Sequence, residues 1–112
     1  MVRPNQMIIQ DFLNSLLKIV AEGSSDKYVL MVLSKFRNEQ IRNFPFLEDV
    51  HIDLKKITVD KKINSVSPKS IGKFLETLVH SLFSNLFMLL VKRKMPPRLI
   101  KDLEYLGINI NN

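Results

Sequence analysis

The sequence predicts a mainly α-helical α+β domain, with about four helices, a long central helix over about 68–94 and a short β-hairpin or extended excursion near 50–66. Three observations predict it. Apolar residues recur at three- and four-residue steps before residue 43 and again after residue 67, whereas the period drops to two between Val50 and Val59. Proline punctuates the chain at Pro45, Pro68 and Pro96-Pro97. With 112 residues the chain has the length of one domain, so residues 1–112 are read as a single helical unit. A hydrophobic content of 46% with only 3 Gly and 5 Pro is enough to bury a core and lacks the composition of disorder.

The first helix is expected over about 4 to 22. Met7, Ile8, Ile9, Phe12, Leu13, Leu16, Leu17, Ile19 and Val20 recur at helical steps, with Asp11, Asn14, Ser15, Lys18 and Glu22 between them. Pro4 suits the first turn, where a missing N–H costs nothing, and Gly23 suits the C-terminal cap. Ser24-Ser25-Asp26 then offers an N-cap for a second helix running from Tyr28 to Arg42. The block Tyr28 to Leu33 is rich enough in β-branched and aromatic residues that a buried strand is the alternative there. Phe44-Pro45-Phe46 ends the segment, because proline excludes helical geometry in the residue before it.

Between the second and third helices, Val50, Ile52 and Leu54 alternate with His51 and Asp53, and Ile57 and Val59 alternate with Thr58 and Asp60. Two short strands follow from that period. Lys55-Lys56 lacks the Gly or Asn of a primed hairpin turn, so an irregular extended excursion is the competing reading. Ser67 as N-cap and Pro68 at the first helical position start the third helix. Its wide apolar face is Ile71, Phe74, Leu75, Leu78, Val79, Leu82, Phe83, Leu86, Phe87 and Leu90, and Pro96-Pro97 breaks it. A last helix over roughly 97 to 106 places Leu99, Ile100, Leu103 and Leu106 inward and Arg98, Lys101, Asp102 and Glu104 outward. Gly107 closes it, and Ile108 and Ile110 are expected to dock on the core.

The chemistry-bearing residues are few. Without cysteine there is no disulfide, thiolate metal site or thiol nucleophile. The two histidines, His51 and His80, lie far apart in sequence, so no metal site is expected. Glu76, His80 and Ser84 fall in one row along a helix, which is unlike the geometry of a working triad, and no enzyme activity is expected. Gly23, Gly72 and Gly107 are isolated, so neither a phosphate loop nor a dinucleotide fingerprint can form, and no cofactor or small-molecule substrate is expected. The N-terminal residues lack the apolar core of a signal peptide, which points to a cytoplasmic protein. The longest stretch free of Lys, Arg, Asp and Glu, Thr77 to Val91, spans roughly 21 Å as a helix against a hydrocarbon core of about 30 Å. A membrane span is not expected.

Charge and apolar excess carry the two functional expectations. The net charge is +6; residues 1–50 balance six Lys/Arg with six Asp/Glu, whereas residues 51–112 carry eleven against five. Lys55, Lys56, Lys61 and Lys62 surround the hairpin, and Lys92, Arg93, Lys94, Arg98 and Lys101 surround the double proline. Such clusters suit contact with a nucleic acid or another anionic partner. They equally suit roles as edge-strand lysines and as cations opposite a helix dipole. The end of the third helix is apolar all round, so Leu86, Phe87, Leu89, Leu90 and Val91 are expected to need a covering partner, most simply a second copy. The leading expectation is a non-catalytic regulatory or protein-interaction module that forms a homodimer through that end. A phosphate-contacting nucleic-acid binder and a subunit or adaptor of a larger assembly are the alternatives.

Overall fold

The computed structural model describes residues 3–21, 25–82 and 93–108. Among these it holds four α-helices, α1 (Asn5–Val20), α2 (Asp26–Gln40), α3 (Pro68–Leu82) and α4 (Pro97–Tyr105). A two-stranded antiparallel hairpin, β1 (Val50–Ile52) and β2 (Ile57–Val59), lies between α2 and α3, flanked by 3₁₀ turns at Pro45–Asp49 and Lys61–Ser65. The fold is the mainly helical α+β arrangement that the change of period predicts. A Cα radius of gyration of 13.0 Å matches the roughly 13 Å of one compact domain of this length.

The helix ends follow their local chemistry. The Pro4 carbonyl accepts from Met7 N and Ile8 N, so α1 starts where proline sacrifices no hydrogen bond. Ser25 caps α2 by accepting from Tyr28 N at 3.2 Å, and Ser67 Oγ caps α3 by accepting from Ser70 N at 3.2 Å. The block 28–33 is helix rather than strand, with Val29, Leu30, Leu33 and Phe36 turned inward. Its β-branched content yields to the helical spacing of the buried positions and to the cap. Gly107 takes a φ of 87°, with Gly107 N bonded to Glu104 O and Ile108 N to Leu103 O. That is the paired bonding of a Schellman cap, and it seats Ile108 in the core. Gly23, Ile110 and residues 83–92 lie outside the described residues; Arg93 and Lys94, at the far limit of the predicted third helix, are helical.

One core runs through all the elements. Ile8, Ile9, Phe12, Leu13 and Leu16 of α1 meet Leu30, Leu33 and Phe36 of α2, Val50, Ile57 and Val59 of the hairpin, Ile71, Phe74, Leu75 and Leu78 of α3, and Leu99 and Leu103 of α4. Phe74 sits among three phenylalanines, with ring centroids 5.6 Å from Phe44, 5.9 Å from Phe46 and 6.1 Å from Phe36. The Phe44 and Phe46 contacts are edge-on, the arrangement the ring quadrupoles favour. Phe44-Pro45-Phe46 therefore anchors the end of α2 to α3 as well as stopping the helix. Gly72 marks a close approach of α3 to the end of α4, since a Cβ there would lie 2.2 Å from the Leu106 carbonyl oxygen.

Three expected orientations are corrected. Met7 is 45% exposed, although it belongs to the apolar series of α1, because it lies at the margin of the buried stripe set by Ile8, Ile9 and Phe12. Leu54 is 57% exposed, because the strand ends at Ile52 and the alternation that would have turned Leu54 inward ends with it. Asp102, expected on the outer face of the last helix, is only 7% exposed. It lies on the same stripe as Leu99, Leu103 and Leu106, and an ion pair makes its burial tolerable.

Candidate functional site

The hairpin turn is built by Asp53. Its Oδ1 accepts from Lys55 N at 2.7 Å and from Lys56 N at 2.8 Å, while Asp53 N donates to Lys56 O at 3.1 Å. An aspartate folding back on its own backbone does what Gly or Asn would do in a primed turn, so Lys55-Lys56 needs no left-handed residue. Those two amide hydrogen bonds, Lys55 first and Lys56 second, hold the Asp53 carboxyl below its ordinary pKa.

The two edges of the hairpin differ in how they are covered. Val50 pairs with Val59, His51 with Thr58 and Ile52 with Ile57. The flanking bonds Asp60 N to Asp49 O and Asp53 N to Lys56 O fix the two-residue alternation. Backbone groups of Val50, Ile52, Ile57 and Val59 therefore point away from the partner strand. On β2 those groups are taken by α1: Gln10 Nε2 donates to Ile57 O at 2.7 Å, Val59 N donates to Gln10 Oε1 at 3.1 Å, and Gln6 Nε2 donates to Val59 O at 2.9 Å. Asn5 continues the seam, donating from Nδ2 to Ile63 O and Val66 O. Side-chain amides thus act as a third strand. The sequence shows Asn5, Gln6 and Gln10 only as polar positions on an amphipathic helix, and their one signal is the i, i+4 spacing of the two glutamines.

On β1, among the described residues, the outward edge is covered at one end alone. Arg37 Nε donates to Leu47 O at 3.1 Å and to Val50 O at 3.0 Å. Beyond it, from Ile52 to Leu54, the edge borders an open groove of about 490 Å³. Its other wall is the outer flank of α2, with Met31, Ser34, Lys35, Asn38 and Glu39. Met31 is 53% exposed and faces this groove together with Leu54, and Tyr28, one turn before Met31, is also exposed. An open strand edge beside unsatisfied apolar side chains is a surface suited to pairing with another chain.

The basic clusters are dispersed and partly compensated. Lys55, Lys56, Lys61 and Lys62 are all exposed. Yet Glu48, Asp49, Asp53 and Asp60 lie within the same stretch, so four lysines are equalled in number by four carboxylates and residues 48–62 carry no net charge. Asp60 accepts from Lys62 N at 2.9 Å, as Asp53 does from its own lysines. Arg93, Lys94, Arg98 and Lys101 are exposed near α4, and Lys92 lies outside the described residues. Gln10 of α1 reaches β2 while the next residue, Asp11, meets Arg98 at 3.8 Å, so α1 contacts both the hairpin and α4.

An ion-pair network unseen in the sequence ties the N-terminal segment to α4. Arg3, with only 11% of its side chain exposed, donates from Nε to Asp102 Oδ2 at 2.8 Å, again from Nη2 to Asp102, and from Nη1 to Asp11. Burial pulls the guanidinium pKa down, but hydrogen bonds and charge from Asp102 and Asp11 outweigh it and leave Arg3 above its ordinary value. Arg3 lies 99 residues from Asp102, a separation across which no local pattern signals pairing.

The remaining described candidates, Glu76, His80 and His51, are surface features. His80 Nε2 and Glu76 Oε1 are 3.9 Å apart with both side chains more than half exposed, a solvated i, i+4 pair. Ser84 and the apolar set Leu86, Phe87, Leu89, Leu90 and Val91 lie outside the described residues. His51 is exposed on β1. Among the described residues no three His, Asp or Glu side chains gather as metal ligands, and no helix is long and apolar enough to cross a membrane. No family model matches the chain, and no match is found among curated proteins or solved structures.

Proposed function

We propose that the protein is a non-catalytic interaction module that self-associates, and that the groove between α2 and the outer edge of β1 is the surface it presents. The observation that carries this reading is the pairing, on one concave surface, of an open strand edge at Ile52 with the half-exposed side chains of Met31 and Leu54. A backbone edge of that kind is satisfied by another extended chain, and the flanking apolar groups add burial to its hydrogen bonds. A second copy is the partner we favour: Lys35 lines the groove with Glu39 and Asp53, one cation against two carboxylates, so two grooves can meet where the Lys35 of each is set against a carboxylate of the other.

Sedimentation equilibrium over a wide concentration range tests the reading. Met31 and Leu54 are exposed, so Met31→Glu and Leu54→Glu leave the core untouched while placing a charge in the contact. Covering the exposed half of each side chain is worth about 1 kcal/mol, and desolvating an unpaired carboxylate adds to the loss, so each variant should weaken the dimer by about tenfold or more. A chain that remains monomeric at every concentration overturns the reading. So does a dimer that neither variant weakens.

A further inference from the structure

A cleft of about 260 Å³ lies between α1 and the start of α4, distinct from the groove beside β1. Arg3, Asp11, Asn14, Ser15, Lys18 and Arg98 line it. Three cations thus line it with one carboxylate, and Asp102 behind Arg3 offsets one of them. The lining carboxylate is already engaged, because Arg3 grips Asp11 with one arm while Asp102 holds the rest of its guanidinium.

The two outer cations are held far less firmly. Arg98 approaches Asp11 only to 3.8 Å, with 72% of its side chain exposed, and an ion pair of that kind is worth at most about 1 kcal/mol. Arg98 can therefore turn toward an incoming anion without uncovering a buried charge, since the Asp11 side chain is 41% exposed and keeps its hydrogen bond from Arg3. Lys18 follows Asn14 and Ser15 by one helical turn, so an ammonium, a hydroxyl and an amide share one flank of α1 opposite the Arg98 guanidinium. A planar fork and a point charge on two different elements, with neutral donors between them, match the oxygens of a tetrahedral anion.

We propose that this cleft binds the phosphate group of a small phosphorylated molecule. The concave shape favours a small ligand over a polynucleotide, whose phosphates need an extended cationic track.

Titration with inorganic phosphate, followed by amide chemical shifts, tests the site on the full chain. Saturable shifts centred on Asn14, Ser15, Lys18 and Arg98 are expected with a Kd of about 1 mM, the affinity of a few charge-assisted contacts. The paired substitution Lys18→Gln with Arg98→Gln should weaken binding by about tenfold or more while the melting temperature stays unchanged, because both side chains are exposed. Absence of a saturable response, or equal binding by that variant, overturns the proposal. A duplex oligonucleotide provides the second arm. If it binds more tightly than phosphate, and Lys55→Gln with Lys56→Gln weakens it as much as the cleft variant does, the chain binds phosphates through diffuse surface charge and the proposal fails. Oligonucleotide binding no tighter than that of phosphate supports it.

Discussion

Replacing Gly72 with alanine sets local helix preference against tertiary packing. Gly72 lies inside α3, where alanine is favoured over glycine by about 1 kcal/mol. Helix propensity alone therefore predicts a more stable protein. The packing predicts the reverse, because the added Cβ would stand 2.2 Å from the Leu106 carbonyl oxygen and 3.2 Å from its carbon. The obstruction is backbone, so no rotamer change relieves it, and α4 must retreat by about 1 Å to restore an ordinary contact of roughly 3.5 Å. That retreat loosens Leu103, Leu106 and Ile108, all buried. Overpacking of this kind costs about 1–3 kcal/mol, and where Leu106 is pinned by the Schellman cap the upper part of that range applies. The net expectation is a loss of about 1–2 kcal/mol, or a fall in Tm of roughly 4–10 °C. Urea unfolding followed by circular dichroism measures it, with an unchanged slope showing that only stability has moved. A Gly72→Ala protein as stable as the parent, or more so, would refute the close approach of α3 and α4.

Two further perturbations probe the polar seams. Arg3→Met leaves Asp102 buried without its cation and should cost about 3 kcal/mol, whereas adding Asp102→Leu should recover most of that loss; chemical denaturation of the single and double variants measures the coupling, and additive losses would contradict it. Asp53 gives a pH signature of defined sign. Its folded pKa lies below the ordinary 3.8, so its contribution to the hairpin is fully present above that value and is lost as pH falls through the depressed folded value. A carbon-detected titration of the Asp53 carboxyl should find a midpoint below 3.8, and Asp53→Ala should increase hydrogen exchange at Lys55 and Lys56; an ordinary midpoint would contradict the turn geometry.

The parts of the fold legible in the sequence are those fixed by contacts within a few residues. Ser25, Ser67, Pro68 and Gly107 announce helix ends because a cap is a bond between neighbours, and the buried stripe of α1 follows from its own period. Asp102 is expected outward because polarity ranks a carboxylate as exposed, although helix spacing puts it on the buried stripe, and the Arg3 that permits its burial lies at the other end of the chain. The groove was hidden for the same reason. The alternation makes Leu54 the next inward residue of a strand, and only the Asp53 turn, which ends that strand, leaves it exposed opposite Met31. The hairpin lysines read as a charged patch in the sequence, whereas Asp53 and Asp60 of the same turns set carboxylates against the backbone beside them.

Hydrogen exchange of the β1 segment at low and high protein concentration tests self-association through the groove most directly. Ile52 N–H points out of the sheet on the uncovered edge, so pairing with a second copy should slow its exchange, and that of Leu54, as concentration rises, while β2 amides already held by Gln10 stay unchanged. Exchange at Ile52 and Leu54 that is independent of concentration, in samples where sedimentation shows a dimer, would place the interface elsewhere and contradict the groove as the interaction surface.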